Sequence, residues 1–259
     1  MKILAISNQK GGTGKSTTAL ALGIGLSLRG RKTLFVDLDA QGNLSYTLGA
    51  DATGLTGISS FDILTGNTPA ELAVQRTRQG DIIAASPALA GADTVLTAVG
   101  KEYRLKEALE TLQGAYDYCI VDTPPALGIL TVNALTACDG VIIPAQADIY
   151  SLQGISQLYG TLQTVKRYCN PSLKVMGILL TRYSGRAIIS REIAEMTEET
   201  ATQIHTKLYN TKIRETTAIK EAQARRQSIY EYAPRSNATT DYTAFVDEIL
   251  REEQQGNGK

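Results

Sequence analysis

Histidine occurs once in these 259 residues and cysteine three times, and there is no surplus of either charge. The cysteines, Cys119, Cys138 and Cys169, are odd in number and share no metal-ligand spacing, which excludes a disulfide framework and fits a reducing cytosol. Cys119 falls inside an expected strand and Cys138 after an expected helix, so neither is well placed to grip an iron–sulfur cluster. His205 has no cysteine or histidine partner nearby in sequence and reads as an ordinary surface residue. Lysine plus arginine and aspartate plus glutamate both number 26, so no global electrostatic pull toward nucleic acid or anionic lipid exists. No apolar stretch approaches the roughly 20 residues a bilayer span needs, and the N-terminus lacks a signal-peptide layout. A soluble, cytoplasmic protein is expected. Internal repeats and low-complexity linkers are absent, and the scattered tyrosines suggest no role.

What is present is a core. Hydrophobic residues make up 43% of the chain, enough for a single domain over 1–259. Short apolar runs at 3–7, 33–37, 81–85, 118–122, 140–144 and 175–181 alternate with helical periodicity at 15–29, 101–113, 129–137, 152–168 and 187–200. That alternation predicts an α/β fold: a doubly wound, mostly parallel sheet with helices on both faces and its ligand at the carboxyl ends of the strands. Residues 50–98 are less regular and read as an insertion of loops and short helices. A last helix is expected near 241–253, followed by a frayed tail over 254–259.

The first strand runs into Lys10-Gly11-Gly12-Thr13-Gly14-Lys15-Ser16-Thr17, after which an amphipathic helix begins. Glycines let the backbone turn tightly so that successive N–H groups face phosphate oxygens, and the helix start adds its positive dipole end. Lys15 is expected to hold the terminal phosphates and the Ser16 hydroxyl to ligate Mg²⁺. The ordinary pattern has glycine where this chain has Gln9; the pair Gly11-Gly12 makes up for it.

Two further strands end in acids. Phe35-Val36-Asp37-Leu38-Asp39-Ala40-Gln41-Gly42-Asn43 closes one, and Cys119-Ile120-Val121-Asp122-Thr123-Pro124-Pro125 closes another. Beside a phosphate loop such carboxylates suit Mg²⁺, which keeps several waters when it binds with substrate phosphates. Taken alone, each reads also as an Asx turn or a capped strand end.

With Lys10 ahead of its glycines, the loop resembles the deviant Walker A motif of the ParA/MinD group of P-loop ATPases, and the two acidic segments resemble that group's as well. The resemblance spans nearly the whole chain, densest at 3–48, 117–147 and 211–249, with its gap in the middle insertion. It implies that Lys10 reaches the partner's phosphates across an ATP-sandwiched homodimer, that Asp37 and Asp122 support Mg²⁺, and that Asp39 orients or deprotonates the attacking water. It implies ATP/ADP and Mg²⁺ as ligands of residues 10–17, and adenine contacts at Thr181 and Arg182. Without it, Lys10 reads equally well as a solvated surface lysine.

Lys207, Lys212, Arg214, Lys220, Arg225 and Arg226 outnumber Glu215 and Glu221 in a segment that suits backbone phosphate contacts, or simply a solvated helix face. The resemblance favours nonspecific DNA binding there by an ATP dimer, through Lys212, Arg214, Lys220, Arg225 and Arg226, with Arg186 extending the patch. It implies a Soj-type partition ATPase whose slow hydrolysis is stimulated by a ParB-like or other partner, with nucleoid association. Since the chain opens on its first strand, no operator-binding extension is expected. The other readings are a MinD-like membrane-surface factor, disfavoured by the acidic end at 247–253, and an ATP-dependent scaffold that barely turns over.

Overall fold

The computed structural model describes residues 1–53, 57–66 and 68–256. The strands are β1 (Lys2–Ile6), β2 (Thr33–Asp37), β3 (Val74–Thr77), β4 (Gly80–Ile83), β5 (Tyr118–Asp122), β6 (Gly140–Gln146) and β7 (Lys174–Thr181). They form one sheet in the order β3-β4-β2-β5-β1-β6-β7. All neighbours are parallel except the β3–β4 hairpin. The helices are α1 (Lys15–Ser27), α2 (Asn43–Leu48), α3 (Ser60–Leu64), α4 (Ala70–Ala73), α5 (Ala92–Val95), α6 (Arg104–Glu110), α7 (Ile129–Ala137), α8 (Ile149–Tyr168), α9 (Ile188–Gln203), α10 (Ala218–Ala224), α11 (Ile229–Tyr232) and α12 (Asn237–Gly256). The doubly wound sheet expected from the sequence is therefore the fold.

Side chains alternate across the sheet, as strand geometry requires. Ile3 and Ala5 face a core shared with α3, α6, α7 and α8, while Leu4 and Ile6 face a second core shared with α1 and α12. The strands at the centre are buried on both sides, which explains their unbroken apolar runs. Helix α1 is buried at every position from Thr18 to Leu26 because it lies between the sheet and α12. That enclosure explains why its apolar residues are not confined to one stripe.

Several boundaries differ from the sequence reading. Helix α8 begins three residues earlier than expected, because the Asp148 carboxylate accepts a hydrogen bond from Ser151 N–H and caps it. The helix expected over 101–113 is reduced to Arg104–Glu110 after a 3-10 turn at Lys101–Tyr103. Strand β3, inside the stretch read as loops and short helices, is a four-residue edge whose partner β4 follows a tight turn at Arg78 and Gln79. Part of the tail expected to fray is helical, since α12 continues to Gly256; residues 257–259 lie outside the described residues.

The outer edge of β7 is covered. Ile178 N–H donates to the Lys207 carbonyl, Tyr209 N–H to Ile178, Ile213 N–H to Leu180 and Tyr183 N–H to Ile213. This strip satisfies groups that an open edge would present to another chain. The Glu248 carboxylate of α12 fastens it by accepting from Asn210 N–H at 2.9 Å and Thr211 N–H at 3.0 Å.

Candidate functional site

Strand order places the three sequence-marked turns together. β5 lies between β1 and β2, with Asp37 level with Asp122 and Ile6 level with Asp122. The loop after β1 therefore opens beside both acidic strand ends. A cleft of about 510 Å³ is lined by Gly11, Gly12, Gly14, Lys15, Ser16, Thr17, Asp39, Asn43, Tyr46 and neighbouring residues.

The loop's backbone is shaped to receive an anion. Gly12 and Gly14 have φ of 76° and 85°, in the left-handed region that favours glycine. Among the described residues, no N–H from residue 11 through residue 17 donates a hydrogen bond, whereas Thr18 N–H closes the first helical bond, to Gly14. Part of this run is inherent to a helix start. The rest comes from the loop, including Thr13, which is buried at 1% exposure. The loop carbonyls, by contrast, are occupied. Lys10 C=O accepts from Lys15 Nζ at 3.2 Å and Thr13 Oγ1 at 3.3 Å, Gly12 C=O from Gln146 Nε2 at 2.6 Å, and Thr13 C=O from Thr181 Oγ1 at 2.9 Å.

The acids beside the loop are crowded. Asp122 is fully buried, and no hydrogen bond closes on either of its carboxylate oxygens among the described residues. Burial pushes its carboxyl well above the usual range, with Asp37 adding to the shift; the nearby Ser16 hydroxyl and Lys15 ammonium oppose it. Asp37 is better served, accepting from Ser45 N–H, Ser45 Oγ and Asp39 N–H, yet burial still lifts its pKa to about 6. Burial also lowers the pKa of Lys15, against the pull of Asp122 and Asp39. Asp39 is half-buried, and one of its oxygens accepts from Gln41 N–H at 3.0 Å.

No cluster of three acidic, histidine or cysteine ligands closes around one point among the described residues. A cation here needs oxygens from a ligand and from water, the coordination Mg²⁺ prefers. The partnerless oxygens of buried Asp122, beside Ser16, fit such a hydrated ion, and the unengaged amides fit its phosphates.

Other expected contacts are arranged differently. The Lys10 ammonium donates to both Asp148 oxygens of its own chain, at 2.7 and 2.6 Å, and lies 5.7 Å from the Tyr150 ring centroid. The Thr181 hydroxyl donates to the loop carbonyl of Thr13 at 2.9 Å, with Ala145 C=O of β6 farther off at 3.3 Å, while Thr181 and Arg182 also line a cavity of about 90 Å³ with Gly14, Ile213, Arg214 and Lys220. Arg182 has φ of 50° and is exposed. The basic residues do not form one free patch. Arg214 forks onto Asp241, at 2.9 Å from Nε and 2.6 Å from Nη2. Lys212 lies over Tyr183, Arg225 over Tyr232 and Arg226 over Tyr46 at the cleft. Arg186 and Lys220 are exposed, with no ion pair among the described residues.

Sequence reasoning missed Gln146, Asp148, Asn8 and Tyr46. The one readable signal was Asp148, a helix-start residue just ahead of an apolar periodic run. Asn8 braces the loop by donating to Pro144 C=O and accepting from Lys10 N–H.

Comparisons with known proteins point to one family. A family model described as an AAA domain matches residues 1–175. The sporulation initiation inhibitor protein Soj of Bacillus subtilis is 38% identical over 251 residues, covering 96% of this chain and 98% of that one. The chromosome partitioning protein ParA of Myxococcus xanthus is 44% identical over 197 residues, covering 75% and 69%. Among solved structures, cobyrinic acid a,c-diamide synthase from Mycobacterium smegmatis, with bound ADP and magnesium, superposes with a TM-score of 0.86 at 34% identity, covering 99% of this chain and 96% of that one.

Proposed function

Because the chain belongs to the family of ParA and Soj chromosome-partitioning ATPases, we propose that it is a DNA-partition or positioning ATPase that pairs with a second copy when ATP is bound, binds duplex DNA without reading its sequence, and hydrolyses ATP slowly until a partner protein stimulates it. As a member of that family it is an ATPase whose ligands are ATP or ADP with Mg²⁺. The observation that carries the reading is the run of unengaged N–H groups from residue 11 to residue 17, beside Lys15 and the partnerless Asp122.

In this reading the loop amides and Lys15 hold the phosphates. Ser16 would ligate Mg²⁺ directly, with Asp37 and Asp122 supporting its water shell. The ion supplies neutralisation of phosphate charge. Asp39 has one oxygen on Gln41 N–H, and its other makes no hydrogen bond among the described residues, so it is available to accept from an attacking water and orient it. Lys10 adds a second cation where charge builds up, once it leaves Asp148.

Nonspecific DNA contact is supported by the exposed side chains of Arg186, Lys220 and Arg225, which suit backbone phosphates. The ATP-bound form would then sit on the nucleoid. A membrane-surface role is disfavoured by α12: Tyr242, Phe245, Val246 and Ile249 on its apolar face are core residues. Its end is tied by the ion pairs Lys2–Glu253 and Lys207–Glu252. No helix of the described residues is long and apolar enough to cross a membrane.

Binding to arbitrary duplex DNA, measured with and without ATP at two salt concentrations, tests the proposal. Affinity that requires ATP, falls with salt and disappears in Lys15→Ala is expected. DNA binding equal in both nucleotide states, or absent at low salt, would refute it.

A further inference from the structure

The carbonyls of the loop after β1 are anchored by side chains far away in sequence. Gln146 is the last residue of β6, and its side-chain nitrogen donates to Gly12 C=O at 2.6 Å across 134 positions. A carbonyl only accepts, so this contact fixes which end of the Gln146 amide faces the loop. No peptide bond among the described residues is cis. In a trans peptide the C=O and the following N–H point in opposite directions. Holding Gly12 C=O toward Gln146 therefore turns Thr13 N–H away from Gln146. Thr13 is buried, and its N–H closes no full-strength hydrogen bond among the described residues, only a bent turn toward Lys10 C=O. A buried donor left so weakly paired is costly, and without that grip the peptide is free to turn and relieve it.

We propose that Gln146 is a positioning residue of the phosphate loop: by gripping Gly12 C=O it locks the 12–13 peptide with Thr13 N–H aimed at a nucleotide phosphate oxygen. The inference deepens the ATPase reading and rests on it. Thr181 does the same one peptide later, since its hydroxyl on Thr13 C=O turns Gly14 N–H the other way. The two anchors end neighbouring parallel strands, with Gln146 level with Thr181, so a rigid part of the sheet sets successive amides of a glycine-rich turn. The same short segment grips the loop's other end, because Asp148, two residues beyond Gln146, holds the Lys10 ammonium. Gln146 does not itself touch the reacting atoms in this role. It lowers the conformational freedom that binding would otherwise have to remove.

The test uses the full chain with Gln146→Met, similar in length but without a donor, and Gln146→Glu, isosteric but acceptor-only. Losing one hydrogen bond of about 0.5–1.5 kcal/mol corresponds to a rise of roughly two- to tenfold in the ATP Kd, measured by titration calorimetry. We expect that rise in Gln146→Met, a larger one in Gln146→Glu, and a loss appearing in KM rather than kcat. The thermal midpoint of the nucleotide-free protein should stay within about 2 °C, less than a general loss of fold would give. Wild-type affinity in Gln146→Met, with weakening in Gln146→Glu alone, would reduce the effect to charge repulsion and overturn the inference. So would a fall in kcat at unchanged KM. Absence of ATP binding by the wild type would instead refute the ATPase reading, and this inference with it.

Discussion

Lys10 and Asp148 stand 138 positions apart in the chain, and the ammonium of one contacts both carboxylate oxygens of the other. Burial alone would raise the Asp148 pKa, but the hydrogen bond from Lys10 and the N–H of Ser151 hold it below the usual carboxylate value. The cation that the family resemblance assigns to a partner subunit's phosphates is thus engaged within its own chain. Asp148→Asn keeps an acceptor for the α8 cap and removes the charge opposite Lys10. Partly exposed pairs of this kind are worth about 0.2–1 kcal/mol, up to roughly fivefold in an equilibrium. ATP-dependent self-association, followed by sedimentation velocity, should therefore occur at up to about fivefold lower protein concentration in Asp148→Asn. Weaker association would show that Asp148 assists Lys10 instead of restraining it.

Asp39→Ala separates binding from turnover. Asp39 lines the cleft, but its carboxylate accepts only from Gln41 N–H among the described residues, so its loss removes no contact that shapes the phosphate loop. ATP affinity should stay within about threefold, whereas hydrolysis should fall by about a hundredfold or more, the usual contribution of a positioned acid–base group. Steady-state phosphate release alongside nucleotide titration checks both, and unchanged turnover would remove Asp39 from the chemistry.

Asp122 reports on the metal. Its two oxygens are buried without hydrogen-bond partners among the described residues, an arrangement that a hydrated divalent cation relieves. In wild type, ATP should bind more tightly with Mg²⁺ than with EDTA. Asp122→Asn should bring the two affinities together while leaving the metal-free value nearly unchanged. Retention of the full Mg²⁺ effect would move the ion's support elsewhere.

The phosphate loop and both acidic strand ends were legible because each signal is local. Residues 10–17 carry their own geometry, and Asp37 and Asp122 each terminate a five-residue strand. The sheet followed from the same apolar runs. Strand β3 was hidden for the opposite reason: Val74-Gln75-Arg76-Thr77 is short, and its strand character comes from antiparallel pairing with β4. Gln146 and Asp148 were unreadable as loop partners because nothing near them in sequence announces a contact more than 130 positions away. The basic segment was misleading in a third way. Composition counts Arg214 among its free cations, while the fold turns that guanidinium onto Asp241.

That same C-terminal region offers a test of stability against pH. Glu248 is nearly buried and fastens the strip covering β7 through Asn210 N–H and Thr211 N–H. Burial alone would raise its pKa, but hydrogen bonds from Thr211 and Asn210, with Lys207 nearby, hold it below the ordinary 4.5. A carboxyl whose native pKa is depressed adds stability that is fully present above its unfolded value and is lost as pH falls through the lower native value. Glu248→Gln keeps an acceptor but loses the charge, so it should lower unfolding free energy by about 1 kcal/mol at pH 7. The difference from wild type should shrink as the pH is taken from about 5 to about 3. Urea unfolding of both proteins across that range measures it. A difference independent of pH would mean that Glu248 acts through shape alone, and that its charge does not hold the strip.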